Sequence, residues 1–157
     1  MLGHTHIVGG LVFAYLFQVP NYAIPFAVIG SVFPDIDLKF TYYVPPKGVK
    51  TTLWNTHRGI THHPIIVLAL FVLWVFLEKS YPQWSFYWDF LYGFWVGYLS
   101  HLVLDALTYK GIPIGFGYYP RFSFRLMKTG GIGEKIVLTL LIAAFGGLIY
   151  LKSKGIY

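Results

Sequence analysis

The 157-residue sequence contains no cysteine. That excludes a disulfide framework, a thiolate metal site and a cysteine nucleophile together. Charge is scarce as well: 11% of residues are Asp, Glu, Lys or Arg, against about 25% in soluble domains. With 56% hydrophobic residues and a mean hydropathy of +0.59, an ordinary water-soluble globule is excluded. Disorder is excluded by the 20% share of Phe, Trp and Tyr. No Lys or Arg precedes Lys39, so the basic start of a secretory signal peptide is missing and the first residues are expected to be retained. There is no G-x-G-x-x-G, no Walker lysine and no H-E-x-x-H, which argues against dinucleotide, P-loop and zincin chemistry. Without repeats, low-complexity tracts or a long linker, residues 1–157 read as one domain.

What is present is a set of five apolar stretches, at about 7–17, 22–33, 64–77, 86–108 and 136–151. None carries a wide polar stripe, as expected of helices buried in lipid or in each other. The predicted fold is all-α: a polytopic membrane bundle of about five helices, the first two too short for a full span of roughly 20 residues. Pro20-Asn21 marks a turn between those two. Gly93 and Gly97 form a small-xxx-small pattern that lets helices approach closely. Aromatics crowd the connections (Tyr42, Tyr43, Trp54; Tyr81, Trp84, Tyr87, Trp88; Tyr118, Tyr119) in the manner of interfacial belts. Gly115 and Gly117 read as a bend.

The formal charge of +6 is unevenly placed. With alternating helix directions, Lys39, Lys47, Lys50, Arg58, Lys110, Arg121, Arg125, Lys128 and Lys135 share one side. Only Lys79, Lys152 and Lys154 fall on the other. The positive-inside rule assigns the first side to the cytoplasm of a multi-pass cell-membrane protein. Membrane lipids are the expected partners; no dense basic stripe points to nucleic acid. Nothing in the sequence defines an oligomeric state.

Histidine and aspartate concentrate at that same end. His4 and His6 open the first helix, Asp35 and Asp37 follow the second, and His57, His62 and His63 lead into the third. His101 and Asp105 lie in the last third of the fourth. Ionisable residues in a membrane are costly and mark functional interiors. The i, i+4 spacing puts His101 and Asp105 on one helix face, within reach of one ion. An all-N/O donor set suits zinc, manganese or iron. Each element has a plainer reading: a buried His–Asp hydrogen bond, aspartates capping a turn, and histidines at an aromatic interface.

The local motifs are Thr5-His6-x-x-x-Gly10, Phe33-Pro34-Asp35-Ile36-Asp37, His57-Arg58-Gly59-x-Thr61-His62 and Gly97-Tyr98-x-Ser100-His101-x-x-x-Asp105-x-x-Thr108. Their order resembles the membrane-bound metal-dependent hydrolase family, LexA-regulated in some bacteria. That family is distantly similar to zinc-dependent phospholipase C and the P1-type nucleases. The resemblance covers about residues 5–125 and implies a metal set of His6, Asp35, Asp37, His57, His62, His101 and Asp105. It also implies a divalent cofactor, zinc first with manganese or iron as alternatives, in one or two ions. His63 stands where the family usually has Ser: an extra ligand, an orienting partner or a neutral change. His4 matches no motif position.

The expected activity is hydrolysis of a phosphoester, such as a lipid headgroup or lipid-linked phosphate, by metal-activated water. His6, Asp35, His57, His101 and Asp105 are the leading ligands. Asp37 and His62 are ligands or a general acid or base, and Arg58 is expected to pair with phosphate oxygens. Two other classes use the same residues: a small transporter or ion-binding membrane protein, and a scaffold with a structural metal.

Overall fold

The computed structural model describes residues 1–42, 47–115 and 119–156; Tyr43, Gly117 and Tyr118 lie outside them. Among the described residues there are five α-helices: α1 (Gly3–Leu16), α2 (Ile24–Val32), α3 (Pro64–Ser80), α4 (Ser85–Ala106) and α5 (Ile132–Ser153). The chain is therefore mostly helical, as its apolar stretches predict. Short 3-10 turns at Asn21–Ala23, Phe33–Lys39, Ile60–His62 and Pro82–Trp84 punctuate them. One element was not expected. A two-residue hairpin, β1 (Ile112–Pro113) and β2 (Arg121–Phe122), closes the loop after α4.

The helix boundaries have local causes. Pro64 takes the first position of α3, where a missing N–H costs nothing. His63 caps that helix, its Nδ1 accepting from Ile65 N at 3.2 Å. Its Nε2 then donates to Gly115 O at 3.1 Å, tying the helix start to the loop after β1. Pro82 opens the turn at which α3 and α4 bend by 111°.

Helix α4 is the hub. It packs on α1 and α2 around Ala14, Val19, Ala23, Ala27 and Val96. On another side it packs on α3 around Val67, Tyr98, Leu102, Ala106 and Ile112. The α2–α4 contact is backbone against backbone. A Cβ placed on Gly97 would sit 1.9 Å from Ala27 O, and one on Gly30 would sit 2.1 Å from Phe94 O. Only glycine permits that approach. It brings the end of α2 against the stretch of α4 that carries His101.

Helix α5 is attached differently. It has 22 residues, its most apolar 18-residue stretch has a mean hydropathy of 2.0, and Glu134 is its one buried residue. Among the described residues α5 is the one helix long and apolar enough by itself to cross a membrane, and α3 with α4, taken together, is so as a bent pair. Helix α1, at 14 residues and 1.5 Å per residue, reaches about 21 Å, short of the roughly 30 Å hydrocarbon layer. Tyr42, Trp54, Tyr81, Trp84, Tyr87 and Tyr119 are exposed, while Trp88 is half-buried.

Candidate metal centre

Four segments converge below the C-terminal end of α4. From α1 comes His6, from the turn after α2 come Asp35 and Asp37, and from the segment before α3 come His57, Arg58 and His62. From α4 itself come His101 and Asp105. His6, His62, His101 and Asp105 are fully buried, and Asp35 keeps 22% of its side chain exposed. The site opens at Asp35.

The hydrogen-bond partners assign the imidazole protons. His101 Nδ1 donates to Ser31 O at 2.7 Å. This bond exists because the glycine contact sets Ser31 against α4. Thr61 Oγ1 donates to Asp37 Oδ2 at 2.6 Å, so it accepts from His62 Nδ1 at 3.0 Å. His57 Nδ1 donates to Asp37 Oδ1 at 2.7 Å. With protons fixed on Nδ1, His62 and His101 turn lone pairs on Nε2 toward each other across 3.0 Å.

A carboxylate oxygen completes the group. Asp105 Oδ2 has no hydrogen-bond donor and lies 3.4 Å from His62 Nε2 and 3.6 Å from His101 Nε2. Asp35 Oδ1 lies 3.5 and 3.6 Å from the same two nitrogens. His6 stacks on His101 with ring centroids 3.7 Å apart, and neither of its ring nitrogens has a hydrogen-bond partner. Its Nε2 is 3.4 Å from Asp105 Oδ1. Acceptor atoms crowded without donors repel one another unless a cation sits among them. A tetrahedral ion with bonds of about 2.05 Å separates its ligands by about 3.3 Å, within the observed 3.0–3.6 Å. The residues fit a divalent cation as two overlapping triads, His6–His101–Asp105 and Asp35–His62–His101.

The electrostatics also call for positive charge. Burial acts to lower His62, but hydrogen bonds to Asp105, Asp35 and Asp37 prevail and push it up to about 9. Burial acts to raise Asp35, but the His62 hydrogen bond and the His101 and His62 charges hold it at about 2. Asp37 is likewise held below the carboxylate range. There burial opposes, and the bonds from His57, His62 and Thr61 win.

Three residues of the expected site lie outside the two triads. Asp37 does not join either triad. Its oxygens serve His57, Thr61 and the Arg58 N–H at 3.2 Å, which makes it the carboxylate that orients the imidazoles. His57 is buried, its Nε2 3.8 Å from Asp35 Oδ1. Arg58 is buried, with Nη1 on Thr108 Oγ1 and Nη2 on Asp105 Oδ1, both at 2.8 Å. Its donors are directed into the protein, so it does not present a fork to a phosphate. Its backbone sits at φ +61°, a costly conformation held by the bond to Asp37. Arg121 Nη1 donates to Arg58 O at 3.2 Å, so it braces this turn.

Sequence reading passed over Glu134. Its Oε1 accepts from Leu2 N at 2.6 Å and Thr5 Oγ1 at 2.8 Å, and its Oε2 from Gly130 N at 2.6 Å. It pins α5 to the turn of α1 that carries His6. A lone buried acid opening an apolar helix was the available signal. Ser31 acts through its carbonyl, which no side-chain pattern reveals.

These features define a class: a strongly apolar helical protein that gathers His, Asp and Arg inside one end of its bundle. The chain belongs to the YdjM inner membrane protein family, whose model matches residues 1–156. It is 30% identical to the uncharacterized protein YvsG of Bacillus subtilis (strain 168), over 99% of this chain and 98% of that one. It is 35% identical to the inner membrane protein YdjM of Escherichia coli (strain K12) and to that of Shigella flexneri. Those matches cover 66% of this chain and span about half, 52%, of each relative. No solved structure matches the chain significantly. The protein is thus a membrane protein.

Proposed function

We propose that this protein is a multi-pass, metal-dependent hydrolase of membrane phosphoesters, with its site at the cytoplasmic leaflet. The observation that carries the reading is the cluster of His62 Nε2, His101 Nε2 and Asp105 Oδ2, which lie 3.0–3.6 Å from one another and need a positive charge among them. Asp35 and His6 complete the holding set. Zinc suits it best, with manganese or iron as alternatives.

When bound, such an ion supplies Lewis acidity and lowers the pKa of a coordinated water to about 7. The chain's own residues do the rest. Asp37 fixes the His57 ring with its Nδ1 proton committed, which leaves Nε2 toward Asp35 at the open edge. His57 is therefore the group placed to take and return a proton at the substrate. Arg58, braced on Thr108, holds the Asp105 carboxylate and, with the Met1 ammonium on the same oxygen, spreads its charge. Burial of four of the five holding side chains excludes bulk water from all but the Asp35 side.

Turnover of a phospholipid and of a soluble phosphodiester in detergent, by metal-loaded protein and by His101→Ala, tests this reading. Hydrolysis that requires both the ion and His101 supports it. Absence of turnover, together with cation flux in proteoliposomes that survives chelation, would favour the transporter class instead.

A further inference from the structure

Two apolar grooves flank α4, and one of them adjoins the site through Thr61. Phe33, Ile60, Ile66, Leu70, Phe94 and Tyr98 line a groove of about 390 Å³ between α3 and α4. Thr61 is its other member, and the Tyr98 hydroxyl donates to Thr61 O, so both polar groups in it are turned to the protein. The remaining surface is hydrocarbon and aromatic.

The groove shares its walls with the candidate centre. Phe94, Tyr98, His101 and Asp105 follow at four, three and four residues along α4, which is one stripe of a helix. Phe94 lies about 10 Å from His101 along the axis, toward the middle of the helix. On the other side, Ile60 and Thr61 immediately precede His62, and Phe33 precedes Asp35 by two residues. Thr61, which lines the groove, also bonds Asp37 Oδ2 and His62 Nδ1, so groove and site share that wall.

We propose that this groove holds the hydrocarbon chain of the substrate, so that the substrate class is a long-chain lipid phosphoester rather than a water-soluble one. The proposal rests on the hydrolase reading above. A lipid whose tail keeps an apolar surrounding throughout pays no desolvation as its headgroup reaches Asp35 and His57. The second groove, of similar size, is lined by Leu68, Leu99, Leu102 and Ala106 among others. It follows the neighbouring stripe of α4 and lacks Phe33, Ile60 and Thr61, the lining residues that adjoin Asp35 and His62, so it serves as a control.

The test uses the full chain loaded with zinc, in phosphatidylethanolamine–phosphatidylglycerol vesicles that contain a phospholipid with a diazirine at its chain end. Photolabelling is expected at Ile66, Leu70 or Phe94. Leu70→Trp is expected to cut that labelling and raise KM for a long-chain phospholipid about tenfold, the mark of lost ground-state binding. Hydrolysis of the dibutyryl analogue and the zinc content stay within about twofold of wild type. Leu68→Trp, in the other groove, matches wild type in every arm. Equal effects of Leu70→Trp on both esters, or labelling confined to the Leu68 groove, would overturn the proposal and leave that surface with annular lipid only. If neither ester is cleaved, the hydrolase reading fails, while the response of labelling to Leu70→Trp still decides whether the groove holds a lipid chain.

Discussion

His62 Nε2 and His101 Nε2 lie 3.0 Å apart, and each ring has already committed its Nδ1 proton elsewhere. Two imidazole lone pairs so placed need a positive charge between them. In metal-free protein that charge is a proton on His62. In the proposed state it is a divalent ion. The two occupants compete, and the predictions follow from that competition and from the framework that holds the rings.

The first prediction concerns pH. His62 at about 9 lies above its ordinary value. Its contribution to stability is fully present below about 6.5 and is lost as pH rises through about 9. Asp35, at about 2, has the opposite sign: its contribution is present above its ordinary value and lost as pH falls through about 2. Chelator-treated protein should therefore lose thermal stability between about pH 7 and 9, whereas metal-loaded protein should not. Proton release on metal addition at pH 7.5, followed by calorimetry in buffers of different ionisation enthalpy, checks the exchange directly.

Asp37 is predicted to orient rather than ligate. Asp37→Asn keeps the shape but weakens the bonds to His57, Thr61 and Arg58. Metal affinity should fall about 10–100-fold while saturating metal still binds at the wild-type stoichiometry. Asp105→Asn should lose the stoichiometry itself. Competition against a chromophoric chelator separates the two, and equal behaviour of the variants contradicts the assignment.

Helix contact and site are coupled through Gly97. In Gly97→Ala the added Cβ meets Ala27 O, so α2 and α4 must separate. The expected cost is about 1–3 kcal/mol, with weaker metal binding because Ser31 O leaves His101 Nδ1. Gly146→Ala in α5 meets nothing within 4 Å and should be neutral or stabilising by about 0.5–1 kcal/mol. Thermal unfolding of both variants in detergent checks the pair.

The absence of cysteine makes orientation easy to measure. Single cysteines at Lys128 and at Gln83 report opposite ends of the proposed bundle. In intact cells an impermeant maleimide should label Gln83→Cys and spare Lys128→Cys. The reverse pattern places the site on the outer face.

Much of this arrangement was legible in the chain. Pro64 announced α3, Gly93 and Gly97 announced a close helix contact, and the four-residue spacing of His101 and Asp105 put both on one face. Other features were hidden because they depend on direction rather than spacing. Asp35 and Asp37 look equivalent in sequence, yet the 3-10 turn after Pro34 sends one to the centre and the other to His57. Arg58 reads as a partner for phosphate oxygens, yet its side chain is taken up by Thr108 and Asp105. His63 turned out to cap a helix, and the small hairpin of residues 112–122 forms from backbone pairing that no hydrophobic period encodes.

The most direct test is elemental analysis of the purified protein beside His101→Ala and Asp105→Ala, with folding of each confirmed by circular dichroism. The account predicts about one transition-metal ion per chain or more in the wild type and its loss from both variants. A metal-free wild type that cannot be loaded, or full retention in both folded variants, contradicts it.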